Sequence, residues 1–407
     1  MLTLSEANMY QVVIIGAGPI GGRLATELSS RGVSTLMIEE HSEIGRPFQC
    51  AGLVNPPAME MVGLHDTILQ SVDGALIHSP SGILVPVGKD GRTRTHVVCR
   101  KRFDQGVVAQ AMDAGAHLWL LSKPLDAVVT DDCVKIKIER EGKIVDIECD
   151  LLIGADGAHS WTRRYFKMGR PKEMMIGFQT DVTGMTGKDN WLEMYTGRDF
   201  APGLFAWVIP TGNNTHRIGM WARPQDLDGK SVEQCYHDLI NHPLWKERFS
   251  QAKEIARYCG PVPCGIIRKP YSDRVMVIGD AAGMAKPTTG GGIGPGFRQI
   301  EAIIDKLVYS IEKNKLKSNH LASVCKPFKS FKKEQDRARA LRDLLVSIPS
   351  DEELDSHFKM FNRPEILDLI NKVGDIEHPV PLGMTLLRKV PEFRKLAVRA
   401  GFKLLFA

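Results

Sequence analysis

Three short stretches of this 407-residue chain carry residues whose types and spacing suit one long phosphorylated ligand. The first is Gly16-Ala17-Gly18-Pro19-Ile20-Gly21-Gly22, set between the apolar run Val12-Val13-Ile14-Ile15 and a helical pattern of Leu24, Ala25 and Leu28. Gly16 permits a tight turn, Gly18 lets the backbone approach a pyrophosphate, and Gly21 lets the helix lie close to the sheet. The helix start at Pro19 turns a positive dipole end towards the phosphates. A second apolar run, residues 33–38, ends on Glu39, where a carboxylate can accept both hydroxyl protons of an adenosine ribose. The competing reading is a glycine turn in some other strand-helix unit; both strands and the acid in register favour a dinucleotide site.

The second stretch, Gly154-Ala155-Asp156-Gly157, follows the buried run Leu151-Leu152-Ile153. The third, Gly279-Asp280-Ala281-Ala282-Gly283, follows Val275-Met276-Val277-Ile278. Three glycine turns at the ends of buried strands point to one extended ligand lying across strand ends. A nicotinamide dinucleotide needs only the first unit, whereas FAD is longer and needs further anchors. Asp280 can accept from ribityl hydroxyls, and the backbone of residues 290–293, including Gly292 and Ile293, can donate to the flavin pyrimidine edge. For Asp280 the competing reading is a helix cap.

The elements that must hold these turns follow from periodicity. The fold class is α/β: a Rossmann-type FAD-binding domain with an inserted antiparallel β-sheet substrate domain and a C-terminal helical region. The FAD-binding domain is expected at 1–74, 100–165 and 270–345, the substrate sheet at 75–99 and 166–269, and the helical region at 346–407. Residues 41–55 read as a loop beside the cofactor. Residues 103–115 read as a helix and 117–121 as a strand. Residues 128–147 read as an antiparallel meander with turns at Asp131-Asp132 and Gly142. Trp191, Tyr195, Phe200, Phe205, Trp207 and Trp221 crowd a β-rich block over 175–222. Residues 231–249 read as one helix, 255–267 as a strand on a sheet edge, and 293–313 as a helix. The chain from 321 onwards reads as helices broken by Pro349, Pro364, Pro379, Pro381 and Pro391.

Composition narrows the function. With 43% hydrophobic and 25% charged residues the chain is an ordinary globular protein. Its net charge of +5 is too small to mark a nucleic-acid partner. Eight scattered cysteines without CxxC spacing argue against a zinc site, and no metal is expected. No leader-like or membrane-spanning segment is apparent, so the expected location is cytoplasmic. Between residues 381 and 407, six Lys/Arg stand against one Glu. There Phe393, Leu396, Ala397, Ala400 and Leu404 share a helical face, with Lys395, Arg399 and Lys403 in a separate stripe. Such a helix suits peripheral contact with the inner face of an anionic membrane; the competing reading is a docked helix with a solvated basic face.

In its three turn motifs the chain resembles the flavoprotein hydroxylase superfamily, and within it the geranylgeranyl reductase family. The closer signals are the Cys50 loop, Val98-Cys99-Arg100-Lys101-Arg102-Phe103-Asp104, and Pro202-Gly203-Leu204-Phe205-Ala206-Trp207-Val208-Ile209-Pro210. The resemblance implies FAD contacts at Gly21, Glu39, Cys50, Ala51, Gly52, Arg100, Asp280, Gly292 and Ile293. Arg100 would meet the pyrophosphate, with a surface cation as the competing reading. Phe205, Trp207 and Pro210 would wall the substrate cavity; ordinary sheet core is the alternative for the two aromatics. The chain departs from the family in Ala51-Gly52-Leu53, where Gly-Glu-Gly is common, and in Phe205, where tyrosine is common.

The activity so implied is saturation of isoprenoid double bonds in membrane lipid precursors, with hydride delivered from reduced flavin N5. Cys50 is the expected catalytic proton donor; its alternative is a small buried residue. The partners are an isoprenoid lipid and an external electron donor, ferredoxin-like or a reduced nicotinamide. Two other readings stand: a flavin monooxygenase, and an electron-transfer flavoprotein that passes electrons to a quinone.

Overall fold

A computed structural model describes residues 9–47, 50–88, 90–345, 350–374 and 379–399. The apolar runs flanking the glycine turns become adjacent strands of one sheet. Its order is Tyr271–Ser272, Val275–Val277, Lys143–Gly154, Met9–Ile15, Thr35–Ile38, His117–Trp119. From Val275–Val277 to His117–Trp119 the neighbours run parallel. Their interior residues, among them Val12, Ile14, Leu36, Leu152 and Met276, are fully buried. That is the continuous apolar pattern expected of strands covered on both faces.

The strand Lys143–Gly154 has two halves. The first pairs antiparallel with Val134–Arg140, which pairs in turn with Ser122–Val129 to make the expected meander. The second half runs parallel to Met9–Ile15, with Ile15 opposite Gly154. On its other side Gly154 stands opposite Val277. All three glycine turns therefore emerge side by side at the carboxyl ends of neighbouring strands.

A second, seven-stranded sheet runs in the order Lys253–Cys264, Glu173–Thr183, Thr215–Ala222, Ala201–Gly212, Trp191–Gly197, Gly74–His78, Leu84–Val87. It is antiparallel except where Trp191–Gly197 meets Gly74–His78 in parallel. Lys253–Cys264 is an edge strand, where its prolines are tolerated. The helix Val232–Ile240 covers one face of this sheet through Val232, Cys235, Tyr236 and Leu239.

Several elements differ from the sequence reading. Thr95–Val98 joins neither large sheet and pairs with Leu53–Val54 and Ile68–Val72. It runs straight into the helix Arg100–Asp113, which starts before Phe103. No capping side chain announces that start, since Cys99 occupies the cap position without bonding to it. The expected single helix over 231–249 is two, Val232–Ile240 and Lys246–Phe249. Pro243 lies between them and lacks the N–H that a continuous helix needs. Pro364, Pro379 and Pro391 open helices, whereas Pro381 sits inside the first turn of Pro379–Lys389, where a proline costs no hydrogen bond. Pro349 lies outside the described residues.

Phe393 is fully buried against Leu341, Leu344, Ile366, Leu386 and Val390. The terminal helix Pro391–Arg399 is thus docked on the chain at this residue. Leu404 and Lys403 lie outside the described residues. No helix among the described residues is long and apolar enough to cross a membrane.

Candidate flavin site

The first turn is built by contacts that only glycine allows. Gly16 has φ +96°, and a Cβ there would stand 2.6 Å from the Ala155 carbonyl oxygen. A Cβ on Gly21 would stand 2.0 Å from the Gly16 oxygen. Gly18 caps the helix Pro19–Ser29, with Pro19 in its first turn. A Cβ on Gly18 would meet nothing within 4 Å, so space lies open above the helix start. Glu39 follows the strand Thr35–Ile38; its Oε2 accepts from the Ala17 N–H at 3.1 Å and its Oε1 from the His41 N–H at 3.1 Å. The carboxylate is thereby fixed at the end of the second strand beside the glycine turn.

At the second turn Asp156 accepts from the Thr162 N–H and hydroxyl at 2.9 and 3.0 Å. Burial raises its carboxyl above the usual aspartate range, against those hydrogen bonds. Arg163 ties this turn to the third by donating to the Ala158 and Ala281 carbonyls at 2.9 and 2.8 Å.

At the third turn Asp280 lies in a single 3-10 turn, Gly279–Ala282, with no side-chain cap on it or on the helix Ile293–Glu312. The helix-cap reading is therefore not what Asp280 does. Burial pushes its carboxyl up to about 6, with Arg100 pulling the other way. A Cβ on Gly292 would lie 2.8 Å from Asp280 Oδ1, so glycine there admits the carboxylate beside the uncapped helix start at Ile293.

Arg100 is not a surface cation. Its guanidinium forks onto Asp104 at 3.0 and 2.9 Å, and Asp104 is buried. Burial lowers the Arg100 pKa, but the Asp104 and Cys50 partners outweigh it and the net shift is upward. Arg100 thus stands within electrostatic reach of both Cys50 and Asp280. The Cys50 sulfur accepts from the Gly52 N–H at 3.3 Å, and Gly52 has φ +74°.

The seven-stranded sheet turns an aromatic face to this site. Phe205 meets Trp207 and Trp221 edge-on, with ring centroids 6.3 and 5.9 Å apart. Trp207 lies over Gly219, where any Cβ would clash with the indole at 2.5 Å. Trp221 faces Gly290 of the third loop, whose Cβ would stand 3.2 Å from the ring. Pro210 falls on the other face by strand alternation, with Ala206 and Val208, which pack among the residues under the helix Val232–Ile240. Tyr195 and Phe200 also belong to that far face.

Sequence reasoning missed Arg217. Its guanidinium is buried and donates to the Ala51 carbonyl at 2.8 Å, with Asp181 3.8 Å from its Nε. Burial lowers its pKa, and Asp181, Cys50 and Cys99 oppose that fall. An arginine inside the apolar strand Thr215–Ala222 was the available signal. Gln335 was missed as well. This buried amide on the helix Pro327–Leu345 donates to the Gly283 and Ala285 carbonyls and accepts from the Ile266 N–H.

The residues present fit an FAD. An open space lies over Gly18, one carboxylate, Glu39, stands beside the first turn and another, Asp280, within the third. The Thr288 and Thr289 hydroxyls and the Trp221 indole N–H are buried without a hydrogen-bond partner among the described residues. Residues 9–315 match the FAD binding domain family. The digeranylgeranylglycerophospholipid reductase of Methanocaldococcus jannaschii is 34% identical over 295 residues, which are 70% of this chain and 73% of that one. Digeranylgeranylglycerophospholipid reductase 3 of Methanosphaera stadtmanae is 30% identical over 89% of this chain and 93% of its own. The crystal structure of a geranylgeranyl bacteriochlorophyll reductase-like protein from Thermoplasma acidophilum superposes with a TM-score of 0.83, at 23% identity, over 97% of this chain and 99% of that one. With its three-turn site and these relatives, the chain belongs to the digeranylgeranylglycerophospholipid reductase family of FAD-dependent oxidoreductases.

Proposed function

We propose that this protein saturates isoprenoid double bonds of membrane lipid precursors. The observation that carries the reading is the contact between the aromatic face and the third glycine loop, at Trp221 and Gly290. An apolar wall built against the flavin edge suits a long hydrocarbon chain, and the relatives named for this lipid class support it.

Gly16, Gly18, Pro19, Gly21, Glu39 and Arg100 would hold the adenosine and pyrophosphate end of FAD. Cys50, Ala51, Gly52, Asp280, Gly292 and Ile293 would surround its flavin end. When bound and reduced, FAD would supply a hydride at N5. The chain's own residues do the rest: Phe205, Trp207 and Trp221 orient the alkene and exclude water, and the Cys50 thiol gives a proton to the second alkene carbon. Arg100 lies within electrostatic reach of that thiol. Electrons come from an external donor, a ferredoxin-like protein or a reduced nicotinamide. The protein works at the cytoplasmic face of the membrane, where the basic stripe of the terminal sequence would meet anionic lipid.

The deciding experiment is mass spectrometry of native lipids incubated anaerobically with the dithionite-reduced protein. Stepwise gains of two hydrogens are expected. Unchanged lipids, together with oxygen consumption in the presence of NAD(P)H, would assign a monooxygenase instead. Cys50→Ala should lose turnover with normal FAD content; full turnover would remove the thiol from the mechanism.

A further inference from the structure

A line of polar side chains crosses the cavity face of the substrate sheet. Trp207 Nε1–H donates to Gln179 Oε1 at 3.3 Å, and Gln179 Nε2–H donates to Asp181 Oδ1 at 3.3 Å. Asp181 stands opposite Arg217 in the ladder, with 3.8 Å between Oδ1 and Nε. Arg217 Nη1 then reaches across to the Ala51 carbonyl at 2.8 Å, and both its terminal nitrogens lie 3.4 Å from the Val98 carbonyl. The line begins on the aromatic wall and ends on the loop that carries Cys50.

The far end has no slack. A Cβ on Gly52 would lie 2.3 Å from Arg217 Nη1 and 2.9 Å from the Val98 oxygen. Gly52 itself donates its N–H to the Cys50 sulfur, and its carbonyl accepts from the Val98 N–H at 2.8 Å. Arg217 therefore holds, through the Ala51 carbonyl, the same peptide whose N–H donates to the thiol sulfur. Trp207 and Gln179 stand on either side of Gly219, Gln179 and Asp181 lie two apart on one strand, and Asp181 is opposite Arg217 on the next, so the line joins the indole to that peptide.

We propose that Arg217 is a positioning residue that couples occupancy of the aromatic wall to presentation of the Cys50 thiol. The proposal rests on the reading of Phe205, Trp207 and Trp221 as the wall that receives an isoprenoid chain. A bound chain against Trp207 and a correctly aimed thiol then become one event, which keeps the proton donor in register with the alkene.

The test uses full-length FAD-loaded protein and peptide-resolved mass spectrometry of iodoacetamide alkylation. The exposed Cys259 serves as internal reference. The probe is geranylgeraniol in detergent micelles, with empty micelles as control. In wild type the Cys50 to Cys259 rate ratio should change at least about fivefold on adding the probe, the low end of coupling between linked sites. In Arg217→Met and Trp207→Phe the probe should leave the ratio unchanged while the flavin absorbance stays at its wild-type value. A merely structural arginine would alter stability but spare the probe response, and a response retained in either variant overturns the proposal, as does a wild type that shows none. Arg217→Met leaves Asp181 without its counter-charge, so Arg217→Met/Asp181→Leu, which removes both charges, gives the same readout in a protein better able to fold. Failure of the reductase reading shows elsewhere, as unchanged lipid masses in the anaerobic assay.

Discussion

Asp280 and Gly21 are each constrained by their surroundings, one by burial and the other by a backbone oxygen. Burial holds the Asp280 carboxyl at about 6, whereas an unfolded aspartate titrates at about 3.9. Across that interval the folded chain binds a proton that the unfolded chain has released. The contribution of this group to stability therefore falls as pH rises from about 4 to about 6 and stays lost above it. In urea titrations of apoprotein, Asp280→Asn should gain on wild type as pH is raised from about 4.5 to about 7.5; a constant gap between the two would refute the assignment. Gly21→Ala places a methyl 2.0 Å from the Gly16 oxygen. Overpacking of this kind costs about 1–3 kcal/mol. FAD content per polypeptide, read from visible absorbance, should fall at least about tenfold. The glycine turns that carry both residues were legible in the sequence, because such turns act through local backbone. Arg217 was not. Its partners Ala51, Val98 and Asp181 come from separate parts of the chain, and only the fold brings them together.

At the scale of elements, the helix Pro327–Leu345 acts as a clasp on the third glycine turn. Gln335 bonds two carbonyls of that turn, and Arg342 donates to the Pro287 carbonyl at 2.9 Å and pairs with Glu173 at 2.8 Å. Gln335→Leu strands the Ile266 N–H and two carbonyls in a buried setting, at a cost of about 1–3 kcal/mol for such a group. Urea unfolding of the variant should show that loss, with faster FAD release; wild-type release kinetics would mean that the clasp does not bear on the cofactor. Strands and long helices could be read from periodicity. The short third sheet could not, since Leu53–Val54 and Thr95–Val98 are too brief to show a period. The split at Pro243 was visible, but the apolar pattern on either side outweighed it. The docked Phe393 also qualifies the terminal amphipathic pattern: one residue of its apolar face is already spent on Leu341, Leu344 and Ile366.

At the scale of the whole molecule, two large sheets meet at one place. The parallel sheet brings three turns to one edge, and the seven-stranded sheet sets aromatic rings against the last of them. The sequence pointed to both sheets and to the cofactor, because three glycine motifs behind buried strands leave few alternatives. It did not show which face each aromatic takes. Strand register decides that, and it places Pro210 away from Phe205 and Trp207.

The ribbon Lys143–Gly154 belongs half to a local hairpin and half to a pairing with residues far back along the chain. Contacts close in sequence form before distant ones reward the closing of a long loop. The meander can thus assemble as a small template that offers residues 149–154 ready-made to the amino-terminal strand. In pulse-labelled hydrogen exchange during refolding, amides of Val134–Arg140 should gain protection before those of Met9–Ile15. Reversal of that order would mean that the nucleotide-binding unit forms first and recruits the hairpin to it.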